Sequence, residues 1–480
     1  MKRCKRTLSF LLCLILLCGT MSVGASALPA DEQWQTYYAD YVEDGSAIYM
    51  APGADETKRN FSWYSALDAG TPRVLVSENE NFDGARTYTG TFVQTPEGDR
   101  SNKVTVTDLR PGTTYFYKCV TDLGESSTAT FSTVAGKDFT ALYTTDIHVS
   151  RDEEAQEGQP SLVYQSYTFS TMLERASDKA ELDLILSSGD QATRGYRSEY
   201  TALAAAPKMR SIPFAFCVGN HDRKGIAYKY FTNNPNEYTK ALVSPFISYD
   251  YYYVKGDVLF LVFDSNCASM TDHRRFAKEA IEANPDVKWR VASFHHDLYG
   301  GRLPHREQEN GLLRTLWAPI LDEFSIDLAL LGHSHYYTMS NAIFDNTTNQ
   351  SLAGLDSVTD PKGAIVMVSA SVNHPRTADP DAEEPPVGEN IAYAYLTEEP
   401  IYNLLDFTED SVTVRSYELS ADEPFHTFTI TKTSAAGAHP QYKNHVKDFF
   451  IRLIADIYGF FNEVGTTMKL RKNWDSLVGQ

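Results

Sequence analysis

Five short segments in the middle of the sequence gather side chains that bind metal or move protons: Asp146-Ile147-His148, Gly189-Asp190, Gly219-Asn220-His221-Asp222, His295-His296-Asp297 and Gly332-His333-Ser334-His335. Six of the twelve histidines fall in these windows, which scattered structural histidines would not do. Taken singly, Asp-x-His or Gly-Asp also serves to end a strand or cap the next helix, and Gly-His-x-His after an apolar run is the stronger signal. The five in succession outweigh that plainer reading. In an extended strand the side chains at i and i+2 face the same way. His333 and His335, and likewise Asp146 and His148, are therefore each expected to converge on one centre. Carboxylate, imidazole and amide donors without thiolate suit Fe, Mn or Zn.

The cysteines add nothing to such a site. Cys4, Cys13 and Cys18 fall in an expected N-terminal leader, while Cys119, Cys217 and Cys267 form no Cys-x-x-Cys knuckle; they permit at most one bridge and read instead as buried thiols behaving like small apolar residues.

Open α/β sheets present ligands at the carboxyl ends of their strands. After Lys137 apolar runs at 139–143, 182–186, 213–218, 258–263, 289–294, 326–331 and 364–368 are predicted as strands, and five of these seven end in one of the segments above. Helical patterns at 161–180, 274–283 and 311–324 lie between them, and β runs at 411–417 and 425–431 close the domain. Upstream, from Ser46 to Val134, short β-prone runs broken by Gly, Pro, Asn and Asp predict an all-β sandwich. Within it Leu109-Arg-Pro-Gly-Thr-Thr-Tyr115 resembles the corner of a fibronectin type III domain, where a tyrosine hydroxyl bonds back to the turn before a strand.

Downstream, residues 443–462 place Val446, Phe449, Phe450, Leu453, Ile454, Ile457, Phe460 and Phe461 at helical spacing. This amphipathic helix either docks on the body of the protein or attaches to a membrane surface or a partner. At the other end, Lys2, Arg3, Lys5 and Arg6 precede an apolar run and Ala25-Ser26-Ala27, which predicts a secretory signal peptide over residues 1–27 and an extracytoplasmic product. The expected order is thus a fibronectin III-like β-sandwich over 28–135, an α/β domain of two mixed sheets flanked by helices over 136–433, and a helical tail over 434–480.

With 42% hydrophobic and 22% charged residues, the 480-residue chain is globular in composition, not disordered or coiled-coil. Its net charge of −20 becomes −24 once the four basic leader residues are removed. That balance excludes a nucleic-acid duplex as the natural partner. An anionic substrate must find positive charge at the site itself.

The five segments, together with Val262-Phe-Asp-Ser-Asn266, residues 289–299 and residues 327–335, resemble the calcineurin-like metallophosphoesterases, including secreted bacterial members with an N-terminal fibronectin-like or purple-acid-phosphatase-like domain. The resemblance spans about residues 40–420. It implies one metal held by Asp146, His148, Asp190 and His335, a second held by Asp190, Asn220, His295 and His333, and Asp190 as the bridge. It implies in-line attack on phosphorus by a hydroxide on two divalent or mixed-valence transition-metal ions, without a phosphoenzyme. His221 is the candidate general acid for the leaving alkoxide, with an electrostatic role as the alternative.

Thr193 departs from the family pattern. The protein phosphatase branch has there an Asp that orients the histidine, so Asp222 or a backbone carbonyl is left to orient His221. Purple acid phosphatases have there an iron-ligating tyrosine, so a colourless enzyme is expected. Arg194 and the loop 300–306 are candidates for contact with the phosphate or leaving group. His296 reads as a hydrogen-bonding neighbour of the ligands and Asp297 as an orienting or solvated carboxylate. His374 is the remaining histidine nearest a strand end. The expected function is hydrolysis of small phosphate monoesters of acid-phosphatase type. The alternatives are a phosphodiesterase and a catalytically inactive cell-surface binding module.

Overall fold

The computed structural model describes residues 31–151, 161–242, 249–300, 310–374, 388–435, 437–443 and 446–472. The leader expected over residues 1–27, residues 152–160 and residues 301–306 lie outside the described residues.

Between Tyr49 and Ser132 the short β-prone runs pair into two antiparallel sheets. One has the order Tyr49–Pro52, Arg59–Ser65, Arg100–Val106, Thr91–Gln94; the other is built around Arg73–Ser77 and Thr114–Thr121. Alternation along Thr114–Thr121 turns Tyr115, Tyr117 and Cys119 inward, onto Phe61, Trp63, Val74, Val76 and Phe131. The Tyr115 hydroxyl accepts a hydrogen bond from Arg110 N at 2.8 Å, closing the corner.

From Phe139 the chain forms two seven-stranded mixed sheets. In the first, Phe139–Thr144 pairs in parallel with Leu184–Ser187, which pairs in parallel with Phe214–Phe216, while Ile401–Phe407, Ser411–Glu418 and His426–Thr431 extend it antiparallel. In the second, Val258–Val262, Trp289–Ser293, Leu328–Leu331 and Ile365–Val368 run in parallel. These strands are buried on both faces, which explains their unbroken apolar runs. One face of each sheet meets the other through Tyr143, Leu186, Phe260, Val291, Leu330 and Met367. The outer faces are covered by helices: Ser161–Lys179 and Arg197–Ala204 on one side, Met270–Ala283 and Asn310–Glu323 on the other. All six parallel strands with ligand-bearing or wall-forming loops therefore end at one edge.

Residues 32–44, expected within the sandwich, instead form a helix, Glu32–Asp44, on the α/β domain. Asp31 caps it by accepting from Trp34 N at 2.7 Å. Trp34 and Tyr38 enter the core of the first sheet's helix layer, and Trp34 Nε1 donates to Val163 O at 3.0 Å. The sandwich itself is joined to the α/β domain by Tyr49 Oη donating to Phe214 O (2.6 Å), by the Lys255–Glu56 pair (2.9 Å), and by Arg197 with Glu97 and Asp99.

The tail helix, Val446–Lys472, docks by its narrow face. Ala455 is buried, Gly459 backs onto Ala268, and Asp456 accepts from Thr271 N at 3.1 Å. Phe449, Phe450, Leu453, Ile454, Ile457, Phe460 and Phe461 point outward and are exposed. No described helix is long and apolar enough to cross a membrane. Cys119, Cys217 and Cys267 are buried and free, and burial pushes the Cys119 thiol up to about 12.

Candidate metal centre

The predicted ligands meet at the shared strand edge, but not by strand alternation. Asp146, His148, Asp190, His333 and His335 all have left-handed backbones, with φ of 49°, 53°, 54°, 73° and 62°. Each chain has already left its strand, and the turn rather than the pleat aims the side chain. Asp146 and His148 do face one group of donors, through turns rather than β-extension, whereas His333 and His335, expected to share a centre, face different groups. Asp, Asn and His tolerate this region better than other non-glycine residues, and such outliers gather at functional sites. Gly332 lets the Gly-His-Ser-His loop approach closely: a Cβ there would sit 2.1 Å from Thr145 Oγ1 and 2.5 Å from Asp146 Oδ2.

Two groups of donor atoms share one oxygen, Asp190 Oδ2. On one side His148 Nε2 lies 3.7 Å from Asp190 Oδ2, 3.7 Å from Asp146 Oδ1 and 3.2 Å from His335 Nε2, which is 3.2 Å from Asp146 Oδ1. On the other, His295 Nε2 is 3.2 Å from Asp190 Oδ2, 2.9 Å from Asn220 Oδ1 and 3.2 Å from His333 Nδ1, which is 3.0 Å from Asn220 Oδ1.

The chemistry of this donor set fits cations. His295 Nδ1 faces Ser188 O at 2.8 Å and His335 Nδ1 faces His374 O at 2.9 Å, so both rings donate there and turn an Nε2 lone pair toward a carboxylate. Lone pairs facing lone pairs in a buried space need positive charge between them. Without it, Asp190 and Asp146 pull a proton onto His295, lifting it to about 10 against the downward push of burial. Burial pushes His148 well below 6.5, leaving a neutral imidazole able to ligate. Burial also works to raise Asp190, yet His295, His148 and His221 hold it well below the usual carboxylate range.

The His221 ring stands edge-on to His148, with centroids 4.8 Å apart. Its backbone N donates to Asp190 Oδ1 at 2.7 Å, and its Nδ1 lies 3.0 Å from Thr193 O. The orienting group is thus the Thr193 carbonyl. Asp222, expected beside His221 as a catalytic residue, is fully buried and turned away. It accepts from Ala192 N (3.0 Å), Gly219 N (2.9 Å) and the Tyr200 hydroxyl (2.7 Å). It braces the Asp190 and Asn220 loops because the short helical turn Asp222–Lys224 points it inward. Burial, then Asp190, raise its pKa to about 7.

Arg194 is exposed at the rim, its backbone N held by buried Glu199 at 3.0 Å. His296 Nδ1 meets Ser265 Oγ at 2.8 Å. Asp297 accepts from the Ser334 hydroxyl at 2.6 Å, steadying the loop between His333 and His335.

The sequence reading misses one wall. Residues 369–374, after Ile365–Val368, hold the Asp146 loop: Val372 N donates to Asp146 O at 3.2 Å, Ser371 Oγ to the same oxygen at 2.5 Å, and Asn373 Nδ2 to Ile147 O at 2.7 Å. The His374 ring faces His148 at 5.2 Å. Ser and Asn carry no metal signature, and only the position of His374 after a strand pointed here.

Fold and site together define a metal-dependent phosphoesterase. Residues 139–337 match the calcineurin-like phosphoesterase family, and residues 46–133 match the purple acid phosphatase N-terminal domain. The chain carries a calcineurin-like phosphoesterase domain behind a purple acid phosphatase N-terminal domain. Among solved structures it is similar to purple acid phosphatase PPD1 from yellow lupin (Lupinus luteus) seeds, at 14% identity and TM-score 0.64, over 83% of this chain and 77% of that one. It is also similar to PhoD, at 12% identity and TM-score 0.55, over 87% and 98% of the respective chains. At these identities the likeness is one of fold. No curated protein sequence matches the chain.

Proposed function

We propose that this chain is an exported phosphomonoesterase using two transition-metal ions of the Fe, Mn or Zn kind. The observation that carries the reading is the pair of donor clusters joined through one oxygen of Asp190, with His221 standing beside them. Bound there, two such ions supply Lewis acidity and a nucleophilic water at neutral pH. The chain's residues do the rest. Asp146, His148, Asp190, His335, Asn220, His295 and His333 would hold the ions, with His295 and His335 oriented by Nδ1–H bonds to carbonyls and Asp146, His148, Asp190, His333 and His335 aimed by left-handed turns. His221, with Nδ1 toward the Thr193 carbonyl, presents Nε2 for donation to the leaving oxygen. Support for export comes from the leader pattern in residues 1–27. Support for a monoester over a diester comes from the match of residues 46–133 to the purple acid phosphatase N-terminal domain.

The test is elemental analysis of the purified protein with paired assays on 4-nitrophenyl phosphate and bis(4-nitrophenyl) phosphate. About two metal equivalents per chain and a higher kcat/KM for the monoester are expected, with activity lost on chelation. Preference for the diester would replace the reading with a phosphodiesterase. Absence of stoichiometric metal and of both activities would leave a binding module.

A further inference from the structure

The loops that follow Leu184–Ser187 and Phe214–Phe216 touch backbone to backbone. A Cβ on Gly195 would lie 2.2 Å from Asp222 O, and one on Gly225 would lie 2.1 Å from Gly195 O. Neither position accepts a side chain without parting the loops. Arg194 and Lys224, the residues immediately before these glycines, are thereby set at one exposed rim of the site.

Lys224 Nζ lies 2.8 Å from His221 Nδ1 and 3.2 Å from His221 Nε2, so its ammonium is one imidazole away from the donor clusters. Among the described residues no carboxylate forms an ion pair with it. At these distances from both ring nitrogens the ammonium lies beside the ring rather than in line with either nitrogen's hydrogen-bonding direction, so its N–H groups remain for an acceptor supplied from outside the protein. Burial and then Arg194 lower the Lys224 pKa while Asp190 raises it, in keeping with two cations held near one another and near the bridging carboxylate.

We propose that Lys224 binds a non-bridging oxygen of the phosphoryl group and selects dianionic monoesters over monoanionic diesters. The proposal rests on the phosphomonoesterase reading and assigns its specificity. A monoester dianion carries one more negative charge than a diester, and in a chain of net charge −20 discrimination by that charge requires cations at the site. Charge-assisted hydrogen bonds of this kind have the necessary strength.

The experiment compares wild type, Lys224→Gln and Lys224→Arg, at equal measured metal content and one pH, on 4-nitrophenyl phosphate and bis(4-nitrophenyl) phosphate, with inhibition by inorganic phosphate. Lys224→Gln is expected to lower the monoester-to-diester ratio of kcat/KM by about tenfold, mainly through the monoester KM, and to weaken phosphate inhibition by a similar factor. Lys224→Arg retains most of both. A ratio unchanged in Lys224→Gln overturns the proposal, including when both rates fall together, because that pattern marks a disturbed His221. Failure of the parent reading shows separately, as a diester preference in the wild type before any substitution.

Discussion

His221 is the residue whose chemistry is most exposed to test. If it protonates the leaving oxygen, its replacement is felt in proportion to how much the leaving group needs a proton. His221→Asn is expected to lower kcat on an alkyl phosphate by on the order of 10²–10⁴ and on 4-nitrophenyl phosphate by much less. Equal losses on both would point to an electrostatic role. The left-handed ligands give a second expectation. At His335, with φ of 62°, alanine keeps the strained turn and glycine relieves it. In metal-free protein His335→Gly should therefore match or exceed His335→Ala in urea stability, by up to about 1 kcal/mol, although both lose the ligand. The positions of these ligands were legible because each follows an apolar strand. The turn that aims them was not, since Asp and His in αL leave no pattern in sequence.

Helix Met270–Ala283 is fastened to the second sheet by a buried ion pair, His273 Nδ1 to Asp250 Oδ2 at 2.6 Å, with His273 Nε2 on Cys267 O at 2.9 Å. Both ring nitrogens donate, as an imidazolium requires. Burial works to lower the His273 pKa, but Asp250 and the Cys267 carbonyl hold it well above 6.5. A raised folded-state pKa means stability that is full below the unfolded value and lost as pH rises through the folded one. The destabilisation caused by His273→Gln, measured by urea unfolding, should be greatest below about pH 6.5 and shrink steadily on the alkaline side. An undiminished effect at high pH would show that the ring acts by packing against Trp317 alone. Central strands such as Leu328–Leu331 announced themselves as apolar runs. Tyr337–Ser340, Ile391–Tyr395 and the helix Glu32–Asp44 did not, because their mixed composition takes its structure from the surfaces they pack on.

The sandwich and the α/β domain share more than a linker. Glu56 accepts from Val134 N at 2.9 Å and pairs with Arg59 and Lys255. Burial alone would raise Glu56, but Arg59 and Lys255 bring it down to about 2. A depressed carboxylate contributes stability that is present above its unfolded pKa and lost as pH falls through the folded one. Between about pH 4.5 and 2 the joint should weaken, and Glu56→Gln should narrow that acid transition in calorimetry. Above this range both domains should unfold in one transition; two well-separated transitions near neutral pH would mean that the joint contributes little.

The three cysteines of the described fold are sealed in its core without cross-links. Among the described residues nothing in the folding then waits on an oxidant, so residues 28–480 should mature equally well in a reducing cytosol. Because a thiol must reach water to react, alkylation by a maleimide becomes a clock for opening of the core, with Cys119 timing the sandwich and Cys217 timing the sheet beneath the ligands.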